Sequence, residues 1–521
     1  MNRLKTYFAF VLVTAFSFAN AANPGDNLFS APIVHDINIV LTQNRWWDSL
    51  QYYKNESDQT GINYYMKADV IIDGTPLNTS GVRLRGSASY GHPGCKKPIK
   101  IDFNEYVQGQ DYDGLRAIIL NNSAYDPTML REKLFLDALV AHGLAAPRCA
   151  FARVSYNGNY VGLYKLVEVI DKTFLQTHFN NNDWNLYKGE PSATLQWEGS
   201  DQTSYYDNLE LNTNETVNDW SDLVNFIDKI NNSGTDYQNQ IEQAFNISDF
   251  IKSWAANNVF GNIDTYFDIP HNYYLYNDSI ANKFQWINWD VGLCFGVLPS
   301  SLFGSSDKLD LFDLPNNPNE RPLCYNTLQI PQYKKEYLNA VCDFMSNDFN
   351  PQNIFPIIDS LAAVIRPHIY AEPDSNQMYT EAQFEGNLES MEVPSFLFYK
   401  IPGLKTFIVM RKENVVEQLC NMEYSCALGA YYYGIGNGVI NVYPSPANNE
   451  VTVFFNVPEY NAIINYRIVD MMGNKVFDEI AVLENGNYTK KLSTINLRQG
   501  IYILVVDAAC RDVEKKILII R

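Results

Sequence analysis

The sequence predicts an α+β body over residues 22–425 followed by a small all-β sandwich over residues 439–521. Three observations predict it. Up to about residue 420, runs of strand-like alternation are interleaved with stretches of helical period. From Val439 onward the chain is strand and turn throughout, with no helical period. Between the two lies a glycine-rich linker over 426–438, "CALGAYYYGIGNG".

The chain opens "MNRLKTYFAFVLVTAFSFANA": two basic residues, a short apolar run, then Ala19 and Ala21 in an A-x-A pattern. That is the pattern of a secretory signal peptide over 1–21, too short for a membrane span, and no later stretch approaches one. The expected location is secreted or at the cell surface, with export through the periplasm. The 521 residues exceed what one hydrophobic core holds, since single cores stop growing near about 250–300 residues. The 35 Tyr and 29 Phe supply ample core material. A net charge of −20 argues against a nucleic-acid partner, which calls for a basic field. Eight Cys in an exported chain permit disulfides, and Cys420 and Cys426 are the closest pair in sequence. No CxxC or Cys/His cluster points to zinc.

In the body, "IVHDINIVLT" reads as a strand and "NRWWDSLQYYKN" as a helix. Strands follow at "MKADVIID", "SGVRLRGSAS" and "KKPIKIDF". The period of "DPTMLREKLFLDALVAHG" predicts a helix opened by Asp126-Pro127. "CAFARVSYNGNYVGLYKLVEVID" is a hairpin turning at Asn157-Gly158. The Asn-rich stretch 180–240 reads as surface elaboration. A helix, "ISDFIKSWAANNVFGN", precedes the polar loop "GNIDTYFDIPHN" and two strands, "YYLYN" and "KFQWINWD". The second strand delivers Asp290 into a turn, and a charge at the end of a hydrophobic strand is costly unless something pairs with it.

In the tail, "VYPSPANNEVTV", "IVDMMGNKV" and "LRQGIYILVV…KKILII" resemble the C-terminal sorting domain of the type IX secretion system of Bacteroidetes. The resemblance implies the type IX secretion machinery as a partner.

The body presents its chemical groups in a recognisable order. A basic strand carries Lys96, Lys97 and Lys100, and a helix bearing Glu132 follows. After two strands ending in "LVEVID" comes a helix, then a loop with Asp264, Asp268 and Asn272, then a hairpin ending in Asp290. Protein kinases order a strand lysine, a helix glutamate, a catalytic-loop acid and asparagine, and a metal-binding aspartate in the same way. Residues from about 35 to 420 resemble the CotH kinase family. The motifs carrying the resemblance are "VRLRGSAS…KKPIKIDF", "GNYVGLYKLVEVIDKTFL", "NLYKG", "NIDTYFDIPHNYYLYND" and "INWDVGLCFG". In the last, Gly292 stands where the family often has a second acidic residue.

That resemblance implies an atypical, protein-kinase-like two-lobed domain using ATP with Mg²⁺ or Mn²⁺. It would transfer the γ-phosphate to Ser or Thr hydroxyls of secreted or surface proteins. The alternative is a catalytically inactive surface adhesin or coat protein of the same fold. Lys100 alternates with Ile99 and Ile101, so it faces away from them and is the expected cleft lysine, with Lys97 as the other candidate. Arg83, Arg85 and Ser87 sit where a phosphate loop would, Gly86 letting the backbone approach. Glu132 is expected to pair with Lys100, and Glu168 to touch the nucleotide or brace the lobes. Asn272 and Asp290 are oxygen donors suited to Mg²⁺. Asp264 is favoured over Asp268 as the base that receives the substrate proton.

Overall fold

The N-terminal strands close on themselves. In the computed structural model, which describes residues 23–92, 94–299, 305–395, 399–422, 424, 426, 441–457, 462–483, 486–508 and 511–519, a short helix α1 (Asp26–Phe29) leads into the first sheet. The expected signal peptide and the residues 427–438 of the linker lie outside the described residues. The sheet contains β1 (Val34–Val40), β2 (Met66–Ile72), β3 (Thr75–Leu84), β4 (Ile99–Asp102) and β5 (Ala117–Asn121), with helix α2 (Trp46–Thr60) between β1 and β2. Helix α3 (Arg131–Ala141) precedes the hairpin β6 (Cys149–Tyr156) and β7 (Asn159–Glu168). The order is β1-β2-β3-β4-β5-β7-β6, and β1 closes the barrel by pairing in parallel with β6. Closure is a feature the two-lobed expectation did not contain.

Period-two alternation sorts the barrel strands, with its phase shifted at bulges in the β2–β3 and β6–β7 pairs. Ile37, Val70, Val82, Ile99, Ile101, Ile118, Leu120 and Leu166 fill the interior. Ile119, Phe151, Leu163 and Val167 face outward and join a second, larger core. The β6–β7 turn is the expected one: Asn157 and Gly158 have φ of 49° and 79°, the left-handed pair a two-residue hairpin requires. Helix α3 starts later than its sequence suggests, because Met129 at φ 60° interrupts the helical path. Asp126 still serves the helix start, accepting the Arg131 N–H at 2.9 Å.

The rest of the body contains α4 (Lys172–Phe179), β8 (Leu186–Gly189), β9 (Leu209–Leu211), α5 (Ser221–Asn232), α6 (Tyr237–Ala244) and α7 (Ile247–Val259). The hairpin β10 (Tyr273–Asp278) and β11 (Lys283–Asn288) joins β8 and β9 in a sheet of order β11-β10-β8-β9. The stretch 180–240 is therefore more than surface elaboration. It gives β8 and β9 to this sheet, and α5 buries Leu223, Phe226 and Ile227 in the main core. Five helices follow: α8 (Pro322–Leu328), α9 (Pro331–Ser346), α10 (Pro351–Tyr370), α11 (Glu381–Glu389) and α12 (Leu404–Asn421). The two-residue strands β12 (Val393–Pro394) and β13 (Lys400–Ile401) pair between α11 and α12.

The tail has seven strands: β14 (Asn441–Tyr443), β15 (Glu450–Val457), β16 (Ala462–Asp470), β17 (Lys475–Leu483), β18 (Gly486–Ser493), β19 (Gly500–Ala508) and β20 (Arg511–Ile519). They form two sheets, β14-β15-β18 and β17-β16-β19-β20. Val451, Val453 and Leu492 of the first pack against Ile468, Leu504 and Val506 of the second, as in a sandwich. Cys426 is bonded not to its sequence neighbour Cys420 but to Cys342 on α9. Among the described residues, no helix is long and apolar enough to cross a membrane.

Candidate functional site

A cleft of about 280 Å³ opens between the outer face of the barrel and the ends of β10 and β11. Register decides which barrel residues reach it. Asn121 on β5 pairs with Lys165 on β7, and the Arg85 N–H bonds the Pro98 carbonyl, so this row of outward positions ends at the cleft. Lys165 is the one charged side chain in the run "VGLYKLV". Leu163 and Val167, on the same face, are fully buried. A lysine in such surroundings requires a partner, and Glu132 of α3 supplies it at 2.9 Å. The Asn121 amide donates to both Glu132 oxygens at 3.1 and 3.2 Å. Burial disfavours the Lys165 ammonium, but Glu132 and Asp126 outweigh burial and raise its pKa, so the lysine stays charged.

The opposite wall comes from the hairpin. Tyr273, the first residue of β10, pairs with Asn288, the last of β11, so the residues just outside both strands meet at one edge. Asn272 and Asp290 occupy that edge at φ of 58° and 50°. Left-handed backbone in non-glycine residues is uncommon and collects at functional sites. The Asn272 amide donates to the Asp264 carboxylate at 3.0 Å and to its backbone carbonyl at 2.9 Å. His271 Nε2 lies 2.6 Å from the other Asp264 oxygen. Burial lowers the His271 pKa, but the Asp264 carboxylate, with Asp290 and Glu190 behind it, raises it further. Asp290 has no hydrogen bond or ion pair among the described residues. It is open to the cleft, yet the surrounding walls desolvate it, and Glu132 and Asp264 repel its charge. Together these raise its pKa against the opposing pull of Arg85.

The Arg85–Ser89 loop forms the remaining side. Gly86 takes φ 79°, and a Cβ there would come within 2.7 Å of Ser89 Oγ. Arg85 donates to Asn121 at 3.1 Å and lies over the Trp289 ring.

Of the residues singled out from the sequence, Arg85, Ser87, Glu132, Asp264, Asn272 and Asp290 line this one cleft. Arg83, Lys97, Lys100 and Glu168 do not. Lys100 faces outward as its alternation requires, but it pairs with Arg83 and Ile119, one pleat away from the row that reaches the cleft. Lys97 donates to the carbonyls of Tyr90, at 2.8 Å, and His92. Arg83 lies over the Tyr65 ring. Glu168 is buried against Arg148 at 2.6 Å, and Arg148 also holds Asp26, so the pair pins the N-terminal segment to β7. Asp268 lies outside the cleft as well. Lys165 and His271 were not singled out; the isolated charge in an apolar strand was the signal for the first.

Among the described residues no three His, Cys, Asp or Glu side chains stand close enough to form a ready-made metal cage. Mg²⁺ does not ask for one, since it keeps several waters and takes one or two carboxylates together with phosphates. The unpartnered Asp290 carboxylate, repelled by two others, and the Asn272 amide oxygen fit that donor set.

A family model described as CotH kinase protein matches residues 82–393, which is more than half of the chain. The chain belongs to the CotH kinase family. A second model, the secretion system C-terminal sorting domain, matches residues 441–520 and marks the chain for export by the type IX machinery, to the cell surface or beyond. The chain is similar to inner spore coat protein H of Bacillus subtilis (strain 168), with 24% identity over 282 residues, 53% of this chain and 75% of that protein.

Proposed function

We propose that this protein is an exported ATP-dependent kinase that transfers the γ-phosphate to Ser or Thr hydroxyls of secreted or surface proteins. The observation that carries the reading is the convergence, around one cleft, of a buried Lys165–Glu132 pair, an Asp264 held by Asn272 and His271, and an unpartnered Asp290. Phosphoryl transfer asks little covalent chemistry of a protein; it asks for positioning and for neutralised charge.

The residues divide that work. The Arg85–Ser89 loop, with its backbone free to approach at Gly86, receives the phosphates together with Lys165. Glu132 fixes the Lys165 ammonium so that it does not collapse onto Asp290. Asn272 and Asp290 hold Mg²⁺ or Mn²⁺, which when bound neutralises phosphate charge. Asp264, oriented through both of its oxygens, accepts the proton of the receiving hydroxyl. Lys165 takes the role that the sequence alone suggested for Lys100.

Purified mature protein incubated with γ-labelled ATP and Mg²⁺ or Mn²⁺ should transfer label to itself or to a hydroxyl-bearing protein. Gly292 favours a second reading, an inactive surface adhesin or coat protein, because it brings no second carboxylate to the cleft. No binding of ATP and no transfer by the wild type would establish that reading instead.

A further inference from the structure

Asn262 stands two residues before Asp264, and Asn288 two residues before Asp290. Both are buried, and neither lines the cleft. Asn257 on α7 joins them. Its Nδ2 donates to the Ser253 carbonyl at 2.7 Å and to Asn288 Oδ1 at 2.9 Å. Its Oδ1 accepts from Asn262 Nδ2 at 2.7 Å. Asn288 Nδ2 then donates to Ser253 Oγ at 3.0 Å.

The direction of this ladder is forced. A backbone carbonyl only accepts, so the Asn257 NH₂ must face Ser253, and its oxygen is left to receive Asn262. Ser253 and Asn257 are four residues apart and share one face of the helix. All four polar side chains are nearly inaccessible, with Ser253, Asn257 and Asn288 at 1% and Asn262 at 3% exposure. The one loose end is Asn262 Oδ1, which is buried without a donor. An apolar core could fill the same space. A polar ladder does something that apolar contacts do not, because it accepts only one register of loop against strand.

We propose that Asn257 is a positioning residue that holds the Asp264 loop and the Asp290 strand end at a fixed separation through a buried ladder of side-chain amides. The inference rests on the reading of the cleft as a phosphoryl-transfer site, where base and metal ligand must be spaced to suit an in-line reaction. Displacements of about 1 Å in such constellations cost large factors in rate.

Because each end of the ladder serves a different aspartate, cutting it at each end has a different signature. Asn262→Ala exchanges one orphaned acceptor, its own Oδ1, for another, Asn257 Oδ1, so the number of unpaired buried groups does not rise and the variant should fold. It should lower the rate of transfer at saturating Mg–ATP about tenfold, to the chain itself or to dephosphorylated casein, at unchanged Mg–ATP affinity. Asn288→Ala should weaken Mg–ATP binding by calorimetry about tenfold. If the two variants instead move rate and affinity together, or move only the melting temperature, the ladder is structural and the proposal is overturned. A second readout needs no activity. In full-length Asn257→Leu, hydrogen–deuterium exchange should accelerate at both 262–266 and 288–292 relative to the wild type. Acceleration at one segment alone, or at neither, overturns the proposal. A wild type that binds no Mg–ATP would end the kinase reading, and the exchange result alone would then decide whether Asn257 couples the two segments.

Discussion

The two walls of the cleft carry carboxylates in opposite circumstances. On the barrel side Glu132 is buried, with an ammonium at 2.9 Å and an amide on both oxygens. On the hairpin side Asp290 has a left-handed backbone and no protein partner among the described residues, and Glu132 and Asp264 repel its charge against the pull of Arg85 and Lys165. The difference teaches what each wall is for. A carboxylate whose valences are filled by the protein holds the protein together, whereas one left open against repulsion is, on the proposed reading, where a metal ion would sit.

Asp264 sits between these extremes, oriented by protein groups yet facing the cleft, and it should show the largest effect. Asp264→Ala should reduce phosphate transfer by about 10²–10⁴ while nucleotide affinity persists, because a general base acts only on the way to the transition state. Transfer assays alongside calorimetry check this. If Asp268→Ala gives the loss instead, the base is misassigned.

Next in size is Lys165→Met. It leaves Glu132 charged, buried and unmatched, so denaturant unfolding should show a loss of about 3–5 kcal/mol. Adding Glu132→Gln to that variant should recover a substantial part of the loss. A Lys165→Met protein as stable as the wild type would dissolve the contrast between the walls.

Asp290→Asn should behave in the opposite way. Its melting temperature without ligand should be no lower than that of the wild type, and stabilisation by Mg–ATP should vanish. Desolvation, then Glu132 and Asp264, raise the Asp290 pKa, so the protonated form suits the fold better than the charged one. The stability this group contributes is present at acid pH and lost as pH rises through its folded pKa. The advantage of Asp290→Asn over the wild type should therefore grow from acid toward neutral pH in parallel thermal melts. The smallest effect belongs to Lys100→Ala, outside the cleft. Its stability should change by under about 0.5 kcal/mol and its Mg–ATP affinity not at all.

Local chemistry made much of this legible in advance. The barrel strands other than β5 were legible as short apolar runs between turns, the β6–β7 turn followed from Asn157-Gly158, and the Asn272–Asp290 edge from polar residues placed where two adjacent strands meet a loop; β5, "AIILN", was missed. The cleft lysine was not legible in the same way. Alternation shows which face Lys100 occupies but not how far along the strand the cleft begins. That depends on pairing across β3, β4, β5 and β7, which no short stretch of chain contains. Barrel closure was hidden for the same reason, since β1 and β6 are far apart in sequence and pair in parallel. The amide ladder joins a helix, a loop and a strand whose asparagines, taken singly, look like turn formers.

The Cys342–Cys426 bond has a mechanical consequence. It closes 84 residues of chain and fastens the start of the segment leading to the sandwich onto the interior of α9. Tension applied to the tail, as when an export machine draws on the sandwich, is shared through sulfur with the buried face of α9. Cys420, in the last turn of α12, is disulfide-bonded as well, so the end of that helix is also held by sulfur. The Cys342–Cys426 bond acts as a rivet between the helical body and the chain that leads to the sandwich.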